Sequence, residues 1–165
     1  MKFLVFKFLS FIFKTLEFSN RKFNEINNKK KYNLPNSVAL GKVDMVGENI
    51  KIGENTYMNS GTILSGNNSK IEIGKWCAIG YNVNIISFSH DTIISTGPEN
   101  ERPVKEADII IGNNVWIGSN VFIKEGVFID DNSIIGANSV VVKNVKKNEI
   151  VGGVPANHIR FKFIN

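Results

Sequence analysis

One cysteine, two histidines and four prolines stand among the 165 residues. The lone Cys77 excludes an intramolecular disulfide and the cysteine clusters of most structural zinc sites. Two histidines, His90 and His158, fall short of the three that a zinc hydrolase or hydratase on histidine ligands wants, so no metal is expected. The most apolar stretch, residues 1–18, is too short and too often broken by lysine to span a bilayer. It also lacks the small-residue cleavage site of a signal peptide. Charge of one sign is missing from most of the chain. Residues 1–31 hold eight basic and two acidic residues; the remainder holds 12 basic and 13 acidic. The basic excess therefore belongs to an N-terminal arm, and nothing in the rest points to nucleic acid.

What the chain does have is a rhythm. Residues 110–141 read IIGNNVWIGSNVFIKEGVFIDDNSIIGANSVV. Ile111, Ile117, Ile123, Ile129, Ile135 and Val141 recur every sixth place. Four places after each sits Val115, Val121, Val127, Ser133, Ser139 or Val145. Neither helical periodicity nor plain strand alternation produces this spacing. A fixed hexapeptide period predicts a parallel β-helix, in which each unit is a short strand and a turn. The aliphatic residue points inward and stacks on its equivalent one coil away. The position four places on is small or β-branched because it too enters a narrow prism, and Cys77, four places after Ile73, is expected there as a buried thiol. Gly112, Gly118 and Gly136 with Asn113, Asn114, Asn120, Asp131, Asn132 and Asn138 fill turns where positive φ is tolerated. A β-sandwich with regular turns is the alternative, and six consecutive units in phase speak against it.

Two domains of organisation follow: a basic amphipathic arm at 1–31 and a repeat domain at 32–165. In the arm, Lys7, Ser10, Lys14, Glu17 and Arg21 fall on one narrow helical stripe. Val5, Phe8, Leu9, Ile12, Phe13 and Leu16 cover the other side. Two readings stand level. The helix lies in a membrane surface, its NNKKK cluster meeting anionic headgroups at roughly 1 kcal/mol per basic residue. Otherwise it packs its phenylalanines on the repeat body or on a neighbouring subunit. The repeats begin loosely at Val38 and Val43 and tighten at Ile50 and Ile52, with extra residues near Ser65–Ser69. They run in phase through Ile73, Ile79 and Ile85, stop at His90 and resume at Ile109 to Ile111. The interruption, 91–108, predicts a loop leaving one face, and such loops often carry function. Residues 152–165 read as a capping tail.

His90 closes IISFSHD, where coil gives way to loop. A histidine with an ordinary pKa near 6.5 suits proton abstraction near neutral pH, although a lone histidine there can simply anchor the loop. The repeats, FSHD, the loop ending in RPV, IIIGNNVWIGSNVFI and IVGGVPANHIR together resemble the hexapeptide-repeat acyltransferases, within them the galactoside, maltose and polysaccharide O-acetyltransferase group. The resemblance covers about residues 38–160. It implies an all-β fold, a left-handed parallel β-helix with an N-terminal α-helix and one protruding loop. The handedness comes from the resemblance alone, since crossovers are normally right-handed. It also implies a homotrimer holding acetyl-CoA as co-substrate between subunits, a sugar acceptor, and a cytoplasmic protein, peripheral on the inner face of the cytoplasmic membrane if the arm binds there.

Carried over position by position, the resemblance makes His90 the catalytic base. Asn59 and Trp116 are placed towards the acceptor, Ser119 and Ala137 along the pantetheine, and Val142, Lys143 and Arg160 at the nucleotide end. At Asn157 the family often has arginine, and SGNNS offers no match to the acidic acceptor contact of the sugar enzymes. The leading expectation is acetyl transfer to a hydroxyl of a bacterial surface-polysaccharide or glycolipid sugar. N-acetylation of a nucleotide-linked amino sugar is a second reading, although no Gly-rich nucleotide-sugar fingerprint occurs. A non-catalytic β-helix scaffold is a third, and it would need neither the junction histidine nor the basic residues.

Overall fold

In the computed structural model, residues 2–90 and 103–162 are described. The order is α1 (Lys2–Lys31), β1 (Ala39–Val46), β2 (Ile50–Ile52), β3 (Tyr57–Leu64), β4 (Ile71–Ile73), β5 (Ala78–Ile79), β6 (Val83–Ile86) and β7 (Phe88–His90). Then follow β8 (Val104–Glu106), β9 (Ile109–Ile111), β10 (Trp116–Ile117), β11 (Phe122–Ile123), β12 (Phe128–Ile129), β13 (Ile134–Ile135), β14 (Val140–Val141), β15 (Glu149–Gly152) and β16 (Asn157–Phe161). The strands wind into a parallel β-solenoid with three faces. The first face carries the starts of β1 and β3, then β5, β10, β13 and β15. The second carries the ends of β1 and β3, then β6, β11 and β14. The third carries β2, β4, β9 and β12.

The registers explain the hexapeptide period. Trp116 pairs with Ile134, Phe122 with Val140 and Ile110 with Phe128, each eighteen residues on. Three hexapeptides thus make one coil, and every sixth residue returns to the same place on the next face. Departures from eighteen locate the insertions. Ile50 pairs with Ile71, so three extra residues bulge near Ser65–Ser69. Ile71 pairs with Ile109, a span of 38, so the excursion after β6 adds twenty. Ile134 pairs with Ile150, a coil shortened by two.

Stacked aliphatic columns fill the prism. Met58, Ile79, Ile117, Ile135 and Val151 line the first face; Ile63, Ile85, Ile123 and Val141 the second; Ile52, Ile73, Ile111 and Ile129 the third, and all are buried. Each such side chain contributes about 1.5–3 kcal/mol relative to exposure. The interior serines are satisfied locally: Ser133 Oγ donates to the Asp130 carbonyl at 2.7 Å and Ser139 Oγ to the Gly136 carbonyl at 2.6 Å. That is why a hydroxyl is tolerated where valine stands elsewhere. Cys77 is buried as expected, and burial pushes its thiol pKa up.

Asparagine ladders hold two corners. Asn82, Asn120 and Asn138 have φ of 52°, 59° and 59° between the first and second faces. Asn55, Asn114, Asn132 and Asn148 have φ of 59°, 55°, 62° and 62° between the third and first. Their amides bond from coil to coil: Asn82 to Asn120 and Asn120 to Asn138 at 3.1 Å, Asn114 to Asn132 at 2.9 Å and Asn132 to Asn148 at 2.6 Å. Asparagine tolerates the left-handed conformation and its amide serves as donor and acceptor at once. Trp76 breaks the second ladder, holding φ +61° with its ring exposed. At the sharp corner within β3, Gly61 has φ +136°, and a Cβ there would lie 1.9 Å from the Val83 carbonyl oxygen.

The ends are capped. β16 turns back antiparallel on β15, as the expected tail. At the other end α1 runs on as helix to Lys31, well past the apolar stretch. Its end is tied to the first coil: Asn28 Nδ2 donates to the Val43 carbonyl at 3.3 Å, and the Tyr32 hydroxyl to the Gly47 carbonyl at 3.0 Å. The exposed phenylalanines do not pack on the repeat body, so that branch of the sequence reading is set aside.

Candidate active site

The excursion is more structured than a loop over 91–108. The chain leaves the coil at Ser87, and β7 pairs antiparallel with β8, so residues 88–90 and 104–106 form the stem of a hairpin. His90 stands opposite Val104 at the tip of the described stem, exposed to solvent. Asp91, beside it in sequence, lies outside the described residues.

The stem is fixed from both sides. At its base the buried Ser69 and Ser87 hydroxyls are 2.7 Å apart, and the Ala107 N–H donates to the Ser87 carbonyl at 3.0 Å. Towards the preceding coil, the Asn68 N–H donates to the Glu106 carboxylate and the Lys70 N–H to Asp108 at 2.9 Å. Towards the following coil, Ser89 Oγ donates to Glu125 Oε1 at 3.0 Å, and Lys124 pairs with the same oxygen at 3.2 Å. Glu125 is buried, 8% exposed, so this charged acceptor has little competition from water. The histidine therefore projects from a platform tied to the coils before and after it.

The other expected site residues fall into three places. Val142 and Lys143 are exposed on the corner between the second and third faces, one coil beyond Lys124–Glu125, on the same edge as the hairpin. Asn59, Ser119 and Ala137 lie on the corner between the first and second faces. There Ser119 Oγ accepts the Tyr81 N–H at 3.1 Å, and a Cβ on Gly118 would lie 2.6 Å from the Ala137 nitrogen, so the coils approach closely. Trp116 projects outward from the first face, and Arg160 sits on β16 opposite Ile150, exposed, with a guanidinium contact to the Phe161 carbonyl at 3.5 Å. Within one chain the second face separates the His90 edge from the Asn59–Ser119–Ala137 edge.

Sequence reasoning missed Ser89, Glu106 and Glu125. The available signal was Glu125 itself, a carboxylate on a corner beside the excursion. It missed too that His158 is a structural residue: its Nδ1 lies 2.7 Å from Glu149 Oε1, and its ring is 4.9 Å from that of Phe161. Burial pushes the Glu149 carboxyl up, but the Lys146 N–H and His158 outweigh it and hold the carboxyl below its ordinary value. Among the described residues no group of three or more His, Cys, Asp or Glu could hold a metal ion.

Hexapeptide coils and asparagine corners define a parallel β-solenoid, and the hexapeptide repeats indicate that it is left-handed. Residues 108–143 match the family model of bacterial transferase hexapeptides (six repeats). The solved structures it resembles include acetyltransferases. One from Vibrio cholerae superposes with a TM-score of 0.75 at 26% identity, over 86% of this chain and 80% of that one. Its complex with acetyl coenzyme A gives 0.70 at 28% identity, over 81% and 73%. A galactoside acetyltransferase in complex with coenzyme A gives 0.65 at 36% identity, over 75% of this chain and 64% of that one. A maltose O-acetyltransferase from Clostridium difficile 630 gives 0.65 at 26% identity, over 88% of each chain.

Proposed function

We propose that this protein transfers an acetyl group from acetyl-CoA to a hydroxyl of a sugar in a bacterial surface polysaccharide or glycolipid. The observation that carries the reading is the hairpin that lifts His90 off the edge of a β-helix resembling acetyltransferases solved with CoA and acetyl-CoA. Neutral His90 accepts the proton of the sugar hydroxyl as its oxygen attacks the thioester carbonyl carbon. The C–S bond then breaks, the protonated His90 returns that proton to the departing sulfur, and CoA leaves as its thiol. A positioned base of this kind is worth about 10²–10⁴ in rate. Backbone N–H groups in the Gly- and Asn-rich corners are candidate donors to the tetrahedral oxyanion.

The corner between the first and second faces fits a narrow arm. Its repeated Gly-x-Asn turns carry Tyr81, then Ser119, then Ala137, so side-chain bulk falls away along the edge. Ser119 and Ala137 would flank the pantetheine, and Val142, Lys143 and Arg160 the nucleotide, where Lys143 and Arg160 make charge-assisted bonds to phosphate. Asn59 and Trp116 face the acceptor. The two edges meet in one site only if the His90 edge of one copy faces the Ser119–Ala137 edge of another, which is the homotrimer this reading requires.

The test is release of CoA thiol from acetyl-CoA against matched panels of sugar hydroxyls and amino sugars. The reading expects turnover on the hydroxyl panel. Turnover confined to amines favours N-acetylation, and none on either panel, with CoA unbound, favours a scaffold.

A further inference from the structure

Helix α1 leaves its large apolar side chains exposed. It is 30 residues long, about 45 Å, and its end meets the repeat domain at β1. The contacting side is polar: Asn24, Asn27 and Asn28 face β1, and Asn28 bonds to it. At 100° per residue, Asn24 and Asn28 each lie about 160° around the helix from Ile26, while Asn27 stands about 100° from it, at the border of the body-facing side. Phe8 falls on the same line as Ile26, with Ile12, Leu16 and Phe23 beside it. All five are exposed, Phe8 and Phe23 at 64% and Ile26 at 61%. Phe6, Leu9, Phe11, Phe13 and Phe18 are exposed as well. Across residues 6–18 the apolar arc covers about 240° of the circumference, far wider than the narrow seam of a coiled coil. Exposed apolar surface on this scale marks an interaction site.

Charge selects the occupant. Residues 2–31 carry eight basic side chains against Glu17 and Glu25, and Glu25 is neutralised by Lys22 and Lys29 at 3.2 and 3.1 Å. Lys29, Lys30 and Lys31 form the last turn, where α1 joins the first coil. An apolar arc flanked by lysines complements an anionic surface that is apolar beneath, and no helix among the described residues is long and apolar enough to cross a membrane.

We infer that α1 docks this protein on an anionic lipid surface, lying in the interface with the Phe8–Ile12–Leu16–Phe23–Ile26 side inward. The body then hangs from the Asn24–Asn28 side. The end of the helix sits at the edge that also carries the hairpin: Lys31 shares a cleft with Gly47, Asn49, Gly66 and Asn67. The His90 edge therefore begins at the docked end of the molecule. This inference stands apart from the acetyl-transfer reading, because its readout is lipid binding.

The test is co-sedimentation of the full chain with vesicles of phosphatidylcholine alone and of phosphatidylcholine with phosphatidylglycerol, at low and high salt. Mass in solution is measured in parallel. The inference expects binding to the anionic vesicles, weakened by salt, and a loss on the order of 100-fold in the triple variant F8S/I12S/L16S with its mass unchanged. The variant K29Q/K30Q/K31Q should weaken binding to anionic vesicles by about tenfold or more and reduce its dependence on salt. Two results would overturn it: no vesicle binding by the parent chain at low salt, or a triple variant that binds vesicles as before but falls to a smaller oligomer. The second would make this face a contact between copies.

Discussion

Asn132 offers a quantitative test of why asparagine lines the corners. It holds φ +62°, accepts from Asn114 at 2.9 Å, donates to Asn148 at 2.6 Å and accepts from Lys162 Nζ. Asn132→Gly removes those bonds but suits the backbone. With the bonds only partly buried, the cost is about 1–2 kcal/mol at the low end of the usual range per bond. Asn132→Ala removes the same bonds and adds the left-handed penalty for a Cβ, roughly 1–2 kcal/mol more. Alanine should therefore destabilise by about 2–4 kcal/mol in all, and its melting temperature should lie about 2–8 °C below that of the glycine variant. Thermal denaturation and urea midpoints of the two variants and the parent measure this. Equal stabilities for glycine and alanine, or alanine the more stable, would refute the claim that backbone conformation selects asparagine here.

Other expectations follow from the hairpin and the cap. Glu125→Ala deprives the Ser89 hydroxyl of its acceptor. If Glu125 positions the stem, kcat on a sugar acceptor should fall about 10–100-fold with the KM for acetyl-CoA little changed, and Glu125→Gln, which keeps an acceptor oxygen, should recover part of it. A loss that tracks melting temperature alone would reduce Glu125 to a structural residue. At the C-terminal cap, the Glu149 carboxyl sits below its ordinary value of 4.5, so the ionised form favours the folded state. Its contribution is present above about pH 4.5 and is lost as pH falls through the lower folded-state value. Urea midpoints from pH 6 down to 3 should fall less for Glu149→Gln than for the parent; parallel curves would mean that Glu149 does not contribute.

The coil was legible because a six-residue period has few physical explanations. Ile111 to Val141 lie in stacked columns as the spacing implied, and the insertions near Ser65–Ser69 and after His90 appear as register shifts. The interior serines were readable as small residues, though their bonds to Asp130 and Gly136 were not. The helix was readable as amphipathic, but not its bearing. Its polar side docks through Asn24 and Asn28, and such a choice depends on the shape of the first coil rather than on hydropathy. The sequence reads FSH as the end of the coil and VKE as loop, because the two pair only with each other, across the thirteen residues between them. Its anchor, Glu125, sits on a different coil from Ser89, and no local pattern connects residues 36 apart. The resemblance places Asn59, Ser119 and Ala137 in a groove between subunits, and one chain keeps them on a different edge from His90.

The most direct test is turnover of acetyl-CoA by His90→Ala with an accepted sugar, alongside calorimetric binding of CoA. Proton abstraction by His90 predicts kcat lower by about 10²–10⁴ with the affinity for CoA retained. Undiminished turnover in the variant would contradict it.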